Sequence, residues 1–214
     1  YELKDNINKL REILNEEYLS ILDRLYTDLF NDLNNIILWV SKIDFIKSNL
    51  KTANALKYCE PTIIDQEKSF IKTESMRHPI IERLIENKEP YIPHDIELGV
   101  NKTDGILLYG LNASGKSSVM KAIGINIVMA QAGLYVPCEK CEISPYTTLV
   151  TRITGNDNIY KSLSSFALEM TEVKTILQFA NQNTMVIGDE ICRGTESVSA
   201  NAIVASMLIT LAKR

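Results

Sequence analysis

Residues 110–118 read GLNASGKSS, and this stretch decides the fold predicted for the chain. It matches G-x-x-x-x-G-K-[ST], the pattern of a glycine-rich loop whose main-chain N–H groups surround a phosphate. The apolar run at residues 106–109 before it predicts a strand, and the apolar stretch at residues 117–130 after it predicts a helix. Strand, loop and helix in this order form the context in which the pattern binds phosphate.

The residue types in the loop suit a phosphorylated ligand. Gly110 and Gly115 permit backbone conformations that other residues rarely adopt, and these turn N–H groups towards an anion. The positive end of the following helix points at the same anion. Lys116 is predicted to bind the β- and γ-phosphates, and the Ser117 hydroxyl is predicted to bind Mg²⁺. The alternative is a glycine-rich turn before a helix that carries one exposed lysine.

A second segment, residues 185–190, reads MVIGDE, which predicts an apolar strand that ends in two acidic residues. In a protein with a phosphate-binding loop, Asp189 in this position is expected to hold Mg²⁺ together with Ser117. Glu190, one residue further along, is predicted to polarise the attacking water. The two acids therefore favour hydrolysis over a kinase reaction. Without the loop, the same pair would indicate only the start of a turn.

Composition divides the chain into two parts. Its 214 residues are 45% hydrophobic, which is enough for one core and an appendage. The net charge is −4, so the chain has no overall positive charge that would attract nucleic acid. Residues 1–60 contain no glycine or proline, and their apolar residues recur every three or four positions, which predicts either one long amphipathic helix or two helices with a break at the Asn-rich residues 31–35. This segment has eight basic and ten acidic residues, and this near balance of charge argues against a basic DNA-binding helix.

From residue 99 onward the pattern changes to alternating strands and helices. Strands are predicted at residues 106–109, 147–153 and 184–187, and helices at residues 117–130, 165–180 and 198–211. Such alternation predicts an α/β fold with a largely parallel sheet. Residues 61–98, which hold four of the six prolines, read as a mixed connector.

The cysteines, the lengths of the apolar runs and the chain ends give three further expectations. The Cys138-x-x-Cys141 pair lacks the second ligand pair that a zinc site normally needs, so reduced structural cysteines in an intracellular protein are expected. No apolar run approaches membrane-spanning length, and no membrane partner is expected. The chain begins at Tyr1 and ends inside an apolar helical pattern, so we expect a piece of a longer protein, whose compartment stays open.

Seven motifs in a fixed order resemble those of the MutS family of DNA mismatch-repair ATPases, which are related to the ABC ATPases. They cover nearly the whole chain and stand at residues 76–80 (MRHPI), 91–95 (YIPHD), 110–118, 133–137 (GLYVP), 151–157 (TRITGND), 164–170 (SSFALEM) and 189–195 (DEICRGT). The sequence of residues 188–200, GDEICRGTESVSA, most resembles that of the MutS branch found in giant viruses and octocoral mitochondria.

The resemblance sharpens the fold prediction. It implies an α/β, P-loop NTPase (ABC-like) domain with a mixed, largely parallel sheet, preceded by a long helical lever arm. Residues 1–70 would form the end of the lever and core region, and residues 71–214 the ATPase domain, truncated at its C-terminus. Two departures from the family pattern, Ser114 in the loop and Gly188 before Asp189, remove no catalytic group.

The resemblance also implies roles for particular residues, with ATP or ADP and Mg²⁺ as cofactors. Glu190 and Lys116 would be catalytic, and Ser117 and Asp189 would hold Mg²⁺. Ser164 would complete the γ-phosphate pocket of a partner subunit, and the segment around Tyr91 would lie against adenine. The full set implied for nucleotide binding is Tyr91, Ile92, Gly110, Asn112, Ser114, Gly115, Lys116, Ser117, Ser118 and Ser164.

The partners implied are a second copy of the chain, through the ATPase domain, and mismatched double-stranded DNA, bound mostly by regions outside this sequence. Two alternatives stay open. One is another ABC-type ATPase of chromosome maintenance, although the chain has no LSGGQ-like string. The other is a MutS-like protein that acts on DNA structures other than mismatches, such as recombination intermediates, or on ribosome-related structures.

Overall fold

A computed structural model describes residues 2–85, 90–101, 103–152, 165–192 and 196–213. Contacts divide the chain into two units, Tyr1–Lys51 and Thr52–Arg214. The elements in chain order are α1 (Glu2–Leu56), β1 (Thr62–Ile63), β2 (Phe70–Met76), α2 (Ile81–Ile85), β3 (His94–Leu98), α3 (Lys116–Gln131), β4 (Lys140–Ser144), β5 (Thr148–Arg152), α4 (Ser165–Phe179), β6 (Thr184–Gly188) and α5 (Ser197–Leu211).

The first unit is part of one continuous helix. α1 runs for 55 residues because no glycine or proline interrupts its backbone hydrogen bonds, and the helix predicted over residues 1–60 is confirmed. Its large apolar side chains are exposed along its whole length, as in Leu3 (76%) and Trp39 (65%). None of the described helices is both long and apolar enough to cross a membrane.

The second unit contains two small sheets. The first has the order β1-β4-β2-β3, in which β1 is parallel to β4 and β2 is antiparallel to both β4 and β3. The second consists of β5 and β6, parallel and in register from Thr148↔Thr184 to Arg152↔Gly188. β2 alternates fully buried Ile71 with the half-exposed Lys72, as expected for a strand with one face in a core.

Two apolar clusters hold these elements together. The larger one joins the four-stranded sheet to α3 and to β6, through Ile71, Ile127, Ile143 and Ile187. The smaller one joins α4 to α5 through buried side chains that include Ile176 and Met207. α3 and β6, which carry the two predicted halves of the site, therefore share the larger core.

The predicted architecture is wrong in its sheet. Instead of one largely parallel sheet, the described residues form a mixed four-stranded sheet and a separate two-stranded one. Residues 106–109 form no strand, and Leu107 and Tyr109 in this run are 77% and 92% exposed. The pattern there satisfies the local preference for extended backbone, but a strand also needs a neighbouring strand to bond with. The predicted helices near residues 117–130, 165–180 and 198–211 and the strands near 147–153 and 184–187 are confirmed.

Candidate functional site

The loop of residues 110–118 and the end of β6 enclose one cavity. Its volume is about 370 Å³. The residues that line it are Asn112, Ala113, Gly115, Lys116, Ser117, Ser118, Asp189 and Glu190. The structure thus brings together the two segments that the sequence marked as the halves of one site.

The start of α3 gives one wall of the cavity an anion-binding character. α3 begins at Lys116, and its N-cap is Gly115 with φ of 94°, a left-handed conformation that favours glycine. No side chain among the described residues caps this helix, so its first-turn N–H groups need other acceptors. With the positive end of the helix dipole, they form a site for a negatively charged group.

Lys116 adds a full positive charge to this wall. Its Nζ donates to the main-chain oxygens of Gly110 at 2.8 Å and Leu111 at 2.7 Å. These bonds fold the side chain back across its own loop. The ammonium group is therefore held beside the helix N-terminus, where an anion bound by the N–H groups would meet it.

The opposite wall is a tight turn after β6. Asp189 N donates to Arg152 O at 2.7 Å, which extends the β5–β6 ladder by one bond. Glu190 and Cys192 have φ of 49° and 67°, left-handed conformations that are uncommon for residues other than glycine. A Cβ on Gly188 would lie 2.4 Å from Cδ1 at the flexible end of the Ile191 side chain, so a larger residue at this position would require that side chain to move.

The two walls are close because α3 packs directly on β6. A Cβ on Gly124, in the middle of α3, would lie 2.9 Å from Ile187 Cδ1 on β6. Ala122 and Ile123, beside it on the helix, are buried in the same core. The helix start and the strand end are thereby fixed around one cavity, with Ser117 and Asp189 both among the residues that line it.

Other predicted site residues lie elsewhere. Tyr91 and Ile92 are not among the described residues that line the cavity. The Tyr91 ring contacts the His94 ring edge-on at 6.4 Å, and its pKa is raised by burial first and by the Glu82 carboxylate second. Ile92 is 74% exposed. The predicted contact of this segment with adenine stays a prediction.

The remaining predicted residues divide into two groups. Gly110 and Ser114 belong to the loop without lining the cavity, and Ser114 N donates to Leu111 O at 3.3 Å. Ser164 and the motif residues at 153–157 and 193–195 lie outside the described residues. The sequence reasoning did not include Ala113, which lines the cavity with φ of 64°. The sequence signal that could have pointed to Ala113 is its position inside the G-x-x-x-x-G-K-[ST] pattern.

The cysteines form no metal centre in the part of the chain that the structure describes. No group of three or more His, Cys, Asp or Glu there could hold a metal ion, and all four cysteines are free. Cys138 Sγ donates to Asn126 Oδ1 at 3.3 Å inside the larger core. Burial raises the pKa of the half-buried Cys59 to about 11, so its thiol is protonated at neutral pH.

Comparison with known proteins identifies the family. A family model described as MutS domain V matches residues 106–214. The chain belongs to the MutS family. This confirms the resemblance seen in the seven motifs. The matched part is domain V, whose described residues form the helices α3, α4 and α5 and the strands β4, β5 and β6, so the predicted P-loop NTPase domain with a lever arm is wrong as a fold class.

Relatives within the MutS family come from viruses, organelles and bacteria. The chain is 39% identical to the putative DNA mismatch repair protein mutS homolog of Acanthamoeba polyphaga mimivirus, over 96% of its length. It is 38% identical to the mitochondrial DNA mismatch repair protein mutS homolog of Sarcophyton glaucum, over 97%. It is 36% identical to the DNA mismatch repair protein MutS of Petrotoga mobilis, over 91%. The chain spans 21%, 22% and 23% of these relatives' lengths, respectively.

Proposed function

We propose that the cavity between the loop and β6 binds Mg-ATP and hydrolyses it, as the nucleotide site of a DNA mismatch repair protein. One observation carries this proposal. A cation, a hydroxyl and a carboxylate from two distant segments, Lys116, Ser117 and Asp189, line a single cavity at a helix N-terminus. A phosphorylated ligand needs positive groups for its phosphates and oxygen ligands for its metal ion.

The donor set suits Mg²⁺. Mg²⁺ prefers hard oxygen ligands and is usually bound by one or two protein groups together with substrate phosphates and water. The Ser117 hydroxyl and the Asp189 carboxylate supply such oxygens. When bound, the metal ion neutralises charge that develops on the phosphate oxygens.

The protein's own groups would bind the phosphates and activate the attacking water. The first-turn N–H groups of α3 would donate to phosphate oxygens, and Lys116 would exchange its bonds to Gly110 O and Leu111 O for bonds to the β- and γ-phosphates. Glu190, next to Asp189 on the lining, would orient and deprotonate the attacking water. Its left-handed backbone, with φ of 49°, belongs to the tight turn after β6.

The wider role rests on the relatives. The relatives from Sarcophyton glaucum and Petrotoga mobilis are named as DNA mismatch repair proteins, and the mimivirus relative is named as a putative one. We therefore propose that the intact protein acts on mismatched double-stranded DNA, bound mostly outside this chain. The proposal includes a homodimer in which Ser164 completes the partner's site, and coupling of the nucleotide state to DNA through the helical part of the chain.

The decisive experiment compares three variants of the intact protein by Mg-ATP binding and phosphate release. Glu190→Gln should bind Mg-ATP as the wild type does but lose hydrolysis by roughly 10²- to 10⁴-fold, because only the proton acceptor is removed. Lys116→Ala should lose binding. Lys121→Ala is the matched control, since this exposed lysine lies on the same helix outside the cavity lining.

Two results would refute the nucleotide site. One is a Lys116→Ala variant that binds Mg-ATP as tightly as the Lys121→Ala variant does. The other is wild-type hydrolysis by Glu190→Gln, which would remove Glu190 from the reaction.

A further inference from the structure

Two family motifs carry charged residues to which the proposed function gives no role. These are Arg152 in the segment TRITGND and Glu169 in the segment SSFALEM. In the structure they meet: Arg152 Nη2 donates to Glu169 Oε1 at 3.2 Å. Arg152 Nε also lies 2.6 Å from Glu172 Oε2. Glu169 and Glu172 are three residues apart on α4, so one guanidinium group holds two carboxylates on one helix face.

This cluster is largely shielded from water. The Arg152 and Glu169 side chains are 19% and 7% exposed, and only Glu172, at 39%, reaches solvent. Glu169 Oε2 is buried without a hydrogen-bond partner among the described residues, so Arg152 provides the main compensation for this buried charge. Loss of one partner from a buried ion pair leaves an uncompensated charge that the structure must move to solvate.

The main chain of the same arginine holds the catalytic strand end. Arg152 is the last residue of β5 and is paired in register with Gly188 of β6. Its carbonyl oxygen accepts the bond from Asp189 N at 2.7 Å. Arg152 therefore joins α4, through its side chain, to the residue proposed to hold Mg²⁺, through its main chain.

The charge of this cluster also acts on the far side of the turn. Burial raises the pKa of the Cys192 thiol, and the negative charge of Glu169 raises it further. Cys192 is 1% exposed and lies two residues after Glu190.

We infer that Arg152 is a positioning residue for ATP hydrolysis, which through its ion pair with Glu169 fixes the turn that places Glu190 at the cavity. The inference rests on the proposed function. It differs from that proposal because Arg152 is not among the residues that line the cavity. Its effect should fall on kcat, since a small displacement of a catalytic group slows the reaction far more than it weakens binding by the loop.

The test uses Arg152→Gln, Arg152→Lys and Arg77→Gln in the intact protein, with kcat, KM and Tm measured for each. Arg77 is the matched control, because its ion pair with Glu82 is of similar length, 2.9 Å, and similar burial, 25% and 11% exposed, but Arg77 belongs to neither β5 nor the turn after β6. Arg152→Gln should lower kcat by roughly tenfold to a hundredfold with KM nearly unchanged. Arg152→Lys should recover part of kcat, because it keeps the charge but cannot reach both carboxylates at once.

The control separates positioning from stability. Arg77→Gln should lower Tm as Arg152→Gln does while keeping kcat close to the wild-type value. Equal losses of kcat in both variants, or an unchanged kcat in Arg152→Gln, would overturn the inference. If Arg152→Gln does not fold, Arg152→Lys and the half-exposed Glu172→Gln decide it, since both should still lower kcat selectively. A wild-type protein that neither binds nor hydrolyses Mg-ATP would refute the proposed function first, and the positioning role with it.

Discussion

At the scale of single residues, backbone space rather than side-chain chemistry explains several choices in this chain. Gly99 has φ of 79°, and a Cβ there would lie 2.4 Å from the main-chain oxygen of Ser69. Gly133 has a similar φ of 75° but open space around its Cβ position. Both positions favour glycine for conformational reasons, and only the first also forbids a side chain by contact.

This difference gives a prediction for the two glycines. Gly133→Ala should cost about 1 kcal/mol of the free energy of unfolding, the penalty for a left-handed alanine. Gly99→Ala should cost about 3 kcal/mol, because the same penalty is joined by a backbone clash that no rotamer change relieves. Urea denaturation of the two variants beside the wild type measures both values, and equal losses would contradict the clash.

At the scale of elements, the contact between α3 and β6 determines whether the site is assembled. Gly124 lets the helix approach Ile187 of the strand. Alanine is the better helix former by about 1 kcal/mol, but its Cβ would press on Ile187 Cδ1 at 2.9 Å, and overpacking costs about 1–3 kcal/mol. The two effects on the free energy of unfolding largely offset each other. The displacement of the helix relative to β6 is not offset by any other change.

Gly124→Ala should therefore change the free energy of unfolding by less than about 2 kcal/mol and still weaken Mg-ATP binding, because Ser117 moves away from Asp189. The second substitution Ile187→Val removes the Cδ1 atom that the new methyl group meets. The double variant should regain affinity relative to Gly124→Ala alone. Binding titrations at fixed Mg²⁺ test this, and an affinity that the second substitution leaves unrestored would rule out the packing explanation.

At the scale of the whole molecule, we propose that the intact protein prefers mismatched duplex DNA to branched structures. Membership of the MutS family and the names of its relatives support this proposal. The net charge of the whole sequence is −4, so the chain has no overall excess of basic residues to attract DNA phosphates.

The intact protein should bind a duplex with one mismatch about tenfold more tightly than the matched duplex, a difference of about 1.4 kcal/mol. Mg-ATP should change this affinity in the wild type and not in Lys116→Ala, because that variant lacks the nucleotide site. Fluorescence anisotropy at one fixed salt concentration measures both effects. Tighter binding to a four-way junction than to the mismatch would favour the alternative function.

The sequence by itself determined the local features of this protein. The loop at residues 110–118, α3, β6 and the two acids after it follow from preferences that act over a few neighbouring residues, and the ordered motifs identified the family. The sequence also predicted that Lys116, Ser117 and Asp189 share a site, because an acid pair after a buried strand has meaning beside a phosphate-binding loop.

Only the tertiary structure decided which segments pair. The connector at residues 61–98 contributes β1, β2 and β3 to a mixed sheet, whereas the strongly apolar run at residues 106–109 joins none. The link from Arg152 to both Glu169 and Asp189 is likewise invisible in the sequence. The physical reason is the same in each case. Strand pairing and ion pairing depend on partners far away in the chain, and local preference states only that a segment is extended or charged, not what it will meet.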